Sequence, residues 1–79
     1  MDMDKWFEKA KEAIWKLPYG KRFEVRQLFK EVEWNTLTRG ERINFGKYFK
    51  NEVIEGNIQE VRFIDRGKNN HSKYEKVEE

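Results

Sequence analysis

A chain of 79 residues with 41% charged side chains and a net charge of +2 is long enough for one small domain. It contains no cysteine, which excludes a disulfide-stapled secreted scaffold and a thiolate zinc site. Nothing near the acidic N-terminus resembles a signal peptide or a membrane-spanning segment, so we expect a cytoplasmic protein with no membrane association.

The first predicted element is a helix over residues 3–17. Asp2 or Asp4 is expected to cap its start, and Pro18 with Gly20 to end it. Its apolar residues recur at the three- and four-residue spacing of one buried helical face, namely Met3, Trp6, Phe7, Ala10, Ala13, Ile14 and Leu17.

A short extended segment over residues 21–25 comes next, followed by a second helix. The segment is too short to form a sheet alone, so we expect it to pair with a later strand. Trp34 ends the second helix and is expected in the core, as is Trp6. The buried side of this helix is predicted to comprise Val25, Leu28, Phe29 and Val32.

The third helix is predicted to begin at Thr38 and to end at about Glu55. Thr38 and Glu41 have the spacing of a capping box, and the glycine of the pair 56–57 is a stop signal. Gly46 is expected at a close helix crossing. The inward residues are predicted to be Ile43, Gly46, Phe49 and Val53.

Two short strands, over residues 59–65 and 72–77, flank a turn-rich loop and predict a β-hairpin. Positive charge is concentrated there: residues 1–60 carry 12 basic and 11 acidic side chains, whereas residues 61–77 carry 5 and 2. The hairpin loop is therefore a candidate for contact with phosphate.

Helix, short strand, two helices and a hairpin define an α+β domain that is winged-helix-like, a variant of the helix-turn-helix. We expect residues 1–77 to form this single domain and residues 78–79 to be a frayed tail. In such a domain the third helix enters a DNA groove and the hairpin contacts the backbone.

One face of the third helix carries side chains suited to a DNA groove. Asparagine pairs bidentately with adenine, lysine reaches guanine or phosphate, and glycine permits close approach. An ordinary solvated face has the same composition, and the flanking residues Glu41, Glu52 and Glu55 repel phosphate. The candidate residues on this face are Gly40, Asn44, Lys47, Tyr48 and Asn51.

The hairpin loop and the start of the second helix supply further candidates. Arg26 is placed to contact phosphate, or alternatively to pair locally with Glu33 or Glu24. In the loop only Asp65 opposes the basic residues, although a solvent-exposed turn has the same glycine and asparagine content. The loop candidates are Arg66, Lys68, Asn69, Asn70, His71 and Lys73.

Catalysis is not expected of this chain. Its single histidine, His71, has no cysteine or carboxylate cluster to work with. No phosphate-binding loop, dinucleotide-binding turn or zinc-protease motif occurs. We therefore predict a binding protein without a metal or another cofactor.

Double-stranded DNA is the expected partner, with a role as a transcriptional regulator. The alternative is a protein-interaction module, such as a phage-encoded inhibitor or adaptor of a host protein. In that case Trp15, Tyr19 or Tyr48 would form the contact patch. The oligomeric state does not follow from the sequence.

Several segments together resemble a known family. They are residues 17–20, 23–29, 39–42, 51–53, 56–57 and 70–74, with Trp34, Gly46 and Phe49. This pattern is similar to small uncharacterised single-domain proteins of Gram-positive bacteria, their mobile elements and their phages. The resemblance covers residues 17–74, leaves the first helix unmatched, and implies a phage or mobile-element context. It supplies no catalytic or binding residues, because the family is a domain of unknown function.

Overall fold

Three α-helices and a three-stranded antiparallel sheet make up the computed structural model, which describes residues 2–66 and 72–78. The helices are α1 (Met3–Trp15), α2 (Glu31–Asn35) and α3 (Arg39–Ile54), and a single 3-10 turn (Val25–Leu28) precedes α2. The strands are β1 (Arg22–Phe23), β2 (Val61–Arg66) and β3 (Ser72–Lys76). The predicted α+β class, with three helices followed by a C-terminal hairpin, is confirmed.

The start and the buried face of α1 are as predicted. An Asp2 carboxylate oxygen accepts hydrogen bonds from the backbone N–H groups of Asp4 (3.1 Å) and Lys5 (3.3 Å). Phe7, Ala10 and Ile14 are buried. The helix ends two residues earlier than predicted, because Pro18 disfavours helical geometry at the residue before it.

The predicted second helix is wrong in its continuity and in the placement of Val32, whereas Val25 and Leu28 are buried as predicted. Phe29 and Lys30 are extended, with ψ angles of 157° and 140°, so the chain is interrupted between the 3-10 turn and the five-residue helix α2. This interruption changes the phase of the side chains. Val32, predicted to be buried, is 78% exposed.

The capping box of α3 is confirmed. The Glu41 backbone N–H donates to the Thr38 hydroxyl oxygen at 3.1 Å, and the Thr38 N–H donates to a Glu41 carboxylate oxygen at 2.9 Å. Gly56 follows the helix with a φ of 81°, a conformation that favours glycine and ends the helix as predicted.

Two predictions for the inward face of α3 are wrong. Phe45, Phe49 and Val53 form the buried stripe, and Ile43, two residues before Phe45, is exposed. A Cβ built on Gly46 meets no heavy atom within 4 Å in the described part of the chain. Gly46 therefore does not mark a close helix crossing.

Aromatic rings pack α1 and α3 against α2 and the extended residues before it. Phe45 is fully buried, and its ring lies 6.4 Å from Trp6, 5.7 Å from Phe29 and 6.5 Å from Trp34. Phe29 and Trp34 stack at 5.6 Å. The predicted packing of Trp6 and Trp34 against the core is confirmed.

The sheet has the strand order β1-β3-β2, with β3 in the middle. β1 pairs with β3, as expected for the short segment after α1, through Arg22 opposite Glu75 and Phe23 opposite Tyr74. The inner face of the sheet carries Phe23 and Tyr74, which are buried. Because side chains alternate along a strand, Lys73 and Glu75 lie on the outer face.

A buried lysine attaches the sheet to the end of α1. Lys76, in β3, is 4% exposed. Its ammonium group donates hydrogen bonds to the carbonyl oxygens of Trp15 (3.0 Å) and Leu17 (2.7 Å). It also lies 5.0 Å from the centre of the Tyr19 ring. A cation at the C-terminal end of a helix is stabilised by the helix dipole.

Candidate nucleic-acid interface

The candidate DNA-binding surface is the exposed side of α3, the helix that follows α2 after a turn over residues 36–38. Gly40, Asn44, Lys47 and Asn51 are all exposed, as their predicted position opposite the buried stripe requires. The side chains of Asn44, Lys47 and Asn51 make no hydrogen bond or ion pair within residues 2–66 and 72–78. Their polar groups are therefore available to a partner.

Tyr48 is half-buried at the edge of this surface, where it lines a shallow depression with Lys47 and Asn51. Its ring lies edge-on to Phe7 at 5.5 Å and stacks on Phe45 at 6.3 Å. Its hydroxyl group donates a hydrogen bond to an Asp4 carboxylate oxygen at 3.0 Å, and this bond raises the pKa of Tyr48. Tyr48 fixes α1 against α3.

Two isoleucines lie on the exposed side of α3. The sequence interpretation placed neither of them there. Ile43 is 48% exposed and Ile54 is 64% exposed. The spacing of four between Phe45, Phe49 and Val53 was the signal that could have excluded Ile43 from the core.

Two of the three acidic residues beside the surface accept hydrogen bonds from neighbouring groups. Glu41 accepts the hydrogen bond from Thr38, which lowers the pKa of the Glu41 carboxyl group. A Glu52 carboxylate oxygen accepts from the Asn57 side-chain amide at 2.7 Å. Glu55 is exposed at the C-terminal end of the helix. The lowered pKa keeps Glu41 ionised, so its charge still opposes an anion at the N-terminal end of the surface.

A carboxylate that the sequence interpretation did not place near the hairpin lies against its basic residues. The Lys73 ammonium group is 3.0 Å from one Glu24 oxygen, and the Arg26 guanidinium group is 3.3 Å from the other. The expectation that Asp65 alone opposes the basic residues is therefore wrong. Arg26 takes the local pairing with Glu24 that the sequence analysis left open.

Charges alternate across the outer face of the sheet. Glu75, on the central strand, lies 2.8 Å from Arg62 of β2 and 3.7 Å from Arg22 of β1. Both arginines are well exposed, whereas the Glu75 side chain is only 16% exposed. This face is an ion-pair network, and exposed pairs of this kind contribute about 0–1 kcal/mol each.

The remaining hairpin candidates are described in part. The backbone of Arg66 ends β2, whereas Lys68, Asn69, Asn70 and His71 lie outside the described residues. The Lys50 ammonium group lies 4.6 Å from the centre of the Phe63 ring. This contact places β2 beside the second half of α3.

A second surface lies at the end of α1. A shallow cleft is lined by Trp15, Pro18 and Tyr19, together with the carboxylates of Glu60 and Glu78 and the buried Lys76. Trp15 is 73% exposed and Tyr19 is 63% exposed. Both rings are therefore accessible to a partner.

Neither a metal site nor a membrane-spanning helix occurs among the described residues. Within them, no group of three histidine, cysteine or acidic side chains is arranged to hold a metal ion. No helix among them has the length and apolar character needed to cross a membrane.

The fold and its exposed helix define a small α+β domain with a polar surface on α3. The chain belongs to a family described as a domain of unknown function (DUF1413), whose family model matches residues 8–76. The match includes most of α1, which the resemblance seen in the sequence did not cover. No curated protein matches the chain, and no solved structure does.

Proposed function

We propose that the chain is a winged-helix-like DNA-binding protein that regulates transcription in a phage or mobile element. In this proposal the exposed polar side of α3 lies in the major groove of double-stranded DNA. The observation that carries the proposal is the row of exposed polar residues on α3, namely Gly40, Asn44, Lys47 and Asn51.

The order of elements supports this placement of α3. A helix-turn-helix joins two helices by a turn of three or four residues, and its second helix enters the groove. The turn over residues 36–38 joins α2 to α3 in this way. The hairpin of β2 and β3 follows α3 directly and is held beside it by the contact of Lys50 with Phe63, as a wing requires.

The side chains on α3 have complementary roles in a groove. The Asn44 amide can donate to and accept from the edge of an adenine, and Lys47 can reach guanine or phosphate. Gly40, in the first turn, has no side chain to separate the helix from the DNA backbone. The Glu41 carboxylate beside them keeps its negative charge, but the Thr38 N–H holds it at the start of α3.

Replacing Lys47 with alanine is expected to weaken DNA binding by an amount that depends on salt. The logarithm of the association constant falls with the logarithm of salt concentration by about 0.9 for each phosphate neutralised. Loss of one contact should therefore make the slope shallower by about one. Fluorescence anisotropy of a labelled random-sequence duplex, titrated from about 50 to 200 mM salt, measures this slope.

Lys16→Ala is the matched control, because Lys16 is an exposed lysine beyond the end of α1. It should leave the slope unchanged. Equal slopes for wild type and Lys47→Ala would remove Lys47 from the interface. The absence of any duplex binding at the lowest salt would overturn the proposed function.

Replacing Glu24 with glutamine is expected to strengthen duplex binding. The change removes the charge that neutralises Lys73 and Arg26 while keeping the size of the side chain. Two more cations then become available to phosphate, so the salt slope should become steeper by about one to two. The same anisotropy titration measures it.

Glu12→Gln is the control for this charge change, because Glu12 is exposed on α1 and has no ion-pair partner among the described residues. It should alter the slope less than Glu24→Gln does. A Glu24→Gln protein with unchanged affinity and slope would show that Lys73 and Arg26 do not contact DNA.

Binding to a host protein is the second candidate function, and the exposure of Trp15 and Tyr19 supports it. Exposed aromatic rings beside a cleft are typical of the centre of protein interfaces. This surface consists of the end of α1 and the chain that follows it, whereas the proposed DNA surface consists of α3. The residues that contact the target therefore distinguish the two candidates.

A further inference from the structure

Ile43 occupies an unusual place on α3. It lies beside Asn44 and one helical turn before Lys47, and it is 48% exposed although Phe45, Phe49 and Val53 already supply the buried stripe of this helix. An isoleucine has no polar group to hydrate, and folding of the domain does not explain its position.

We propose that Ile43 is a specificity-determining residue that contacts the 5-methyl group of a thymine in the major groove. This inference rests on the proposed function. The 5-methyl group of thymine is the apolar group that the base pairs present in the major groove, and apolar side-chain groups contact it there. The neighbouring Asn44 has the donor and acceptor needed to read adenine. The pair therefore predicts a binding site with A·T pairs opposite the N-terminal half of α3.

The position of Ile43 along the helix supports this role. In a helix-turn-helix the residues near the N-terminus of the second helix contact the base edges. Ile43 lies in the second turn of α3, whereas Ile54 is its last residue, about 16 Å farther along the axis at 1.5 Å per residue. Ile54, which is also exposed, is therefore expected to lie away from the bases and provides a matched control.

The test uses the full chain and a duplex that it selects from a random-sequence pool. The selected duplex is synthesised again with deoxyuridine in place of each thymidine in turn, which removes one methyl group and keeps the base pairing. Replacement at the contacted thymine should weaken binding by about fourfold, the effect of exposing one buried methyl group. Replacement at the other thymines should have little effect.

Ile43→Ala should weaken binding to the thymine duplex by a similar factor and should abolish the difference between thymine and uracil. This loss of the difference is the coupling that a double-mutant cycle measures. Ile54→Ala should keep the difference. Because both side chains are exposed, both variants should retain the circular dichroism spectrum of the wild type.

Four results would overturn the inference. If uracil is tolerated at every thymine, Ile43 does not contact a thymine methyl group, and the proposed function stands. The same conclusion follows if the uracil effect persists in Ile43→Ala. If the selected duplex has no A·T pair in common with other selected duplexes, the predicted site is wrong. If no duplex is selected at all, the proposed function fails together with the inference.

Discussion

Replacing Lys76 with methionine is expected to lower the free energy of unfolding by about 2–3 kcal/mol, the contribution of hydrogen bonds made by a charged group. Methionine keeps the length of the side chain and loses the ammonium group. The carbonyl oxygens of Trp15 and Leu17 then lose the donor that lies 3.0 and 2.7 Å from them. Removal of a buried charge also gives back a desolvation cost, but the two unpaired acceptors outweigh this gain. Urea unfolding followed by circular dichroism measures the change.

Lys16→Met is the control for this prediction, because it makes the same chemical change at an exposed lysine close to the same helix end. Its effect should stay within about 0.5 kcal/mol. Equal effects of the two substitutions would show that the ammonium group of Lys76 does not hold β3 against α1.

Replacing Tyr74 with phenylalanine is expected to reduce the loss of stability in alkaline solution. Burial raises the pKa of Tyr74 from 10.0 to about 12, although the nearby Ser72 hydroxyl lowers it slightly. Below pH 10 the tyrosine is protonated in the folded and the unfolded chain, and it has no effect on pH dependence. Between pH 10 and 12 only the unfolded chain loses the proton, so unfolding becomes easier by about 1.4 kcal/mol per pH unit. The total is about 2–3 kcal/mol at pH 12.

Near neutral pH Tyr74→Phe should have little effect or be stabilising. The Tyr74 hydroxyl oxygen is buried and has no partner in hydrogen-bonding geometry among the described residues, so its removal costs no bond. Urea unfolding at several pH values measures both effects. Tyr19→Phe, at an exposed ring, is the control. An alkaline loss of the same size in wild type and Tyr74→Phe would contradict the assignment.

The sequence predicts correctly the elements that depend on residues close together in the chain. The buried face of α1 follows from the spacing of its apolar residues. The capping box of Thr38 and Glu41 follows from two residues three apart. The hairpin follows from two β-prone runs around a turn. In each case the information lies within one element of the chain.

Errors arose where the phase of a helix had to be chosen. Val32 was assigned to the face of Val25 and Leu28, but the extended residues Phe29 and Lys30 break the helix and turn Val32 outward. Ile43 was assigned to the core because it is apolar, although Phe45 is the residue in phase with Phe49. Hydrophobicity alone does not fix the phase.

The sequence predicts that the segment after α1 pairs with a later strand, but it does not show which side chains meet as a result. The neutralisation of Lys73 by Glu24 depends on β1 lying beside β3, across 49 positions of the chain. The bonds from Lys76 to the end of α1 depend on the same arrangement. The exposed polar residues of α3, namely Gly40, Asn44, Lys47 and Asn51, were predictable because they require only the geometry of one helix.

Chemical-shift mapping tests the central claim most directly. Isotope-labelled protein is titrated with a duplex at low salt, and the backbone amide signals are followed. The proposal predicts the largest shifts at Gly40, Asn44 and Lys47, with small shifts at Trp15 and Tyr19. Unchanged signals throughout α3, or shifts confined to the cleft of Trp15 and Tyr19, would contradict the assignment of α3 as the DNA-binding surface.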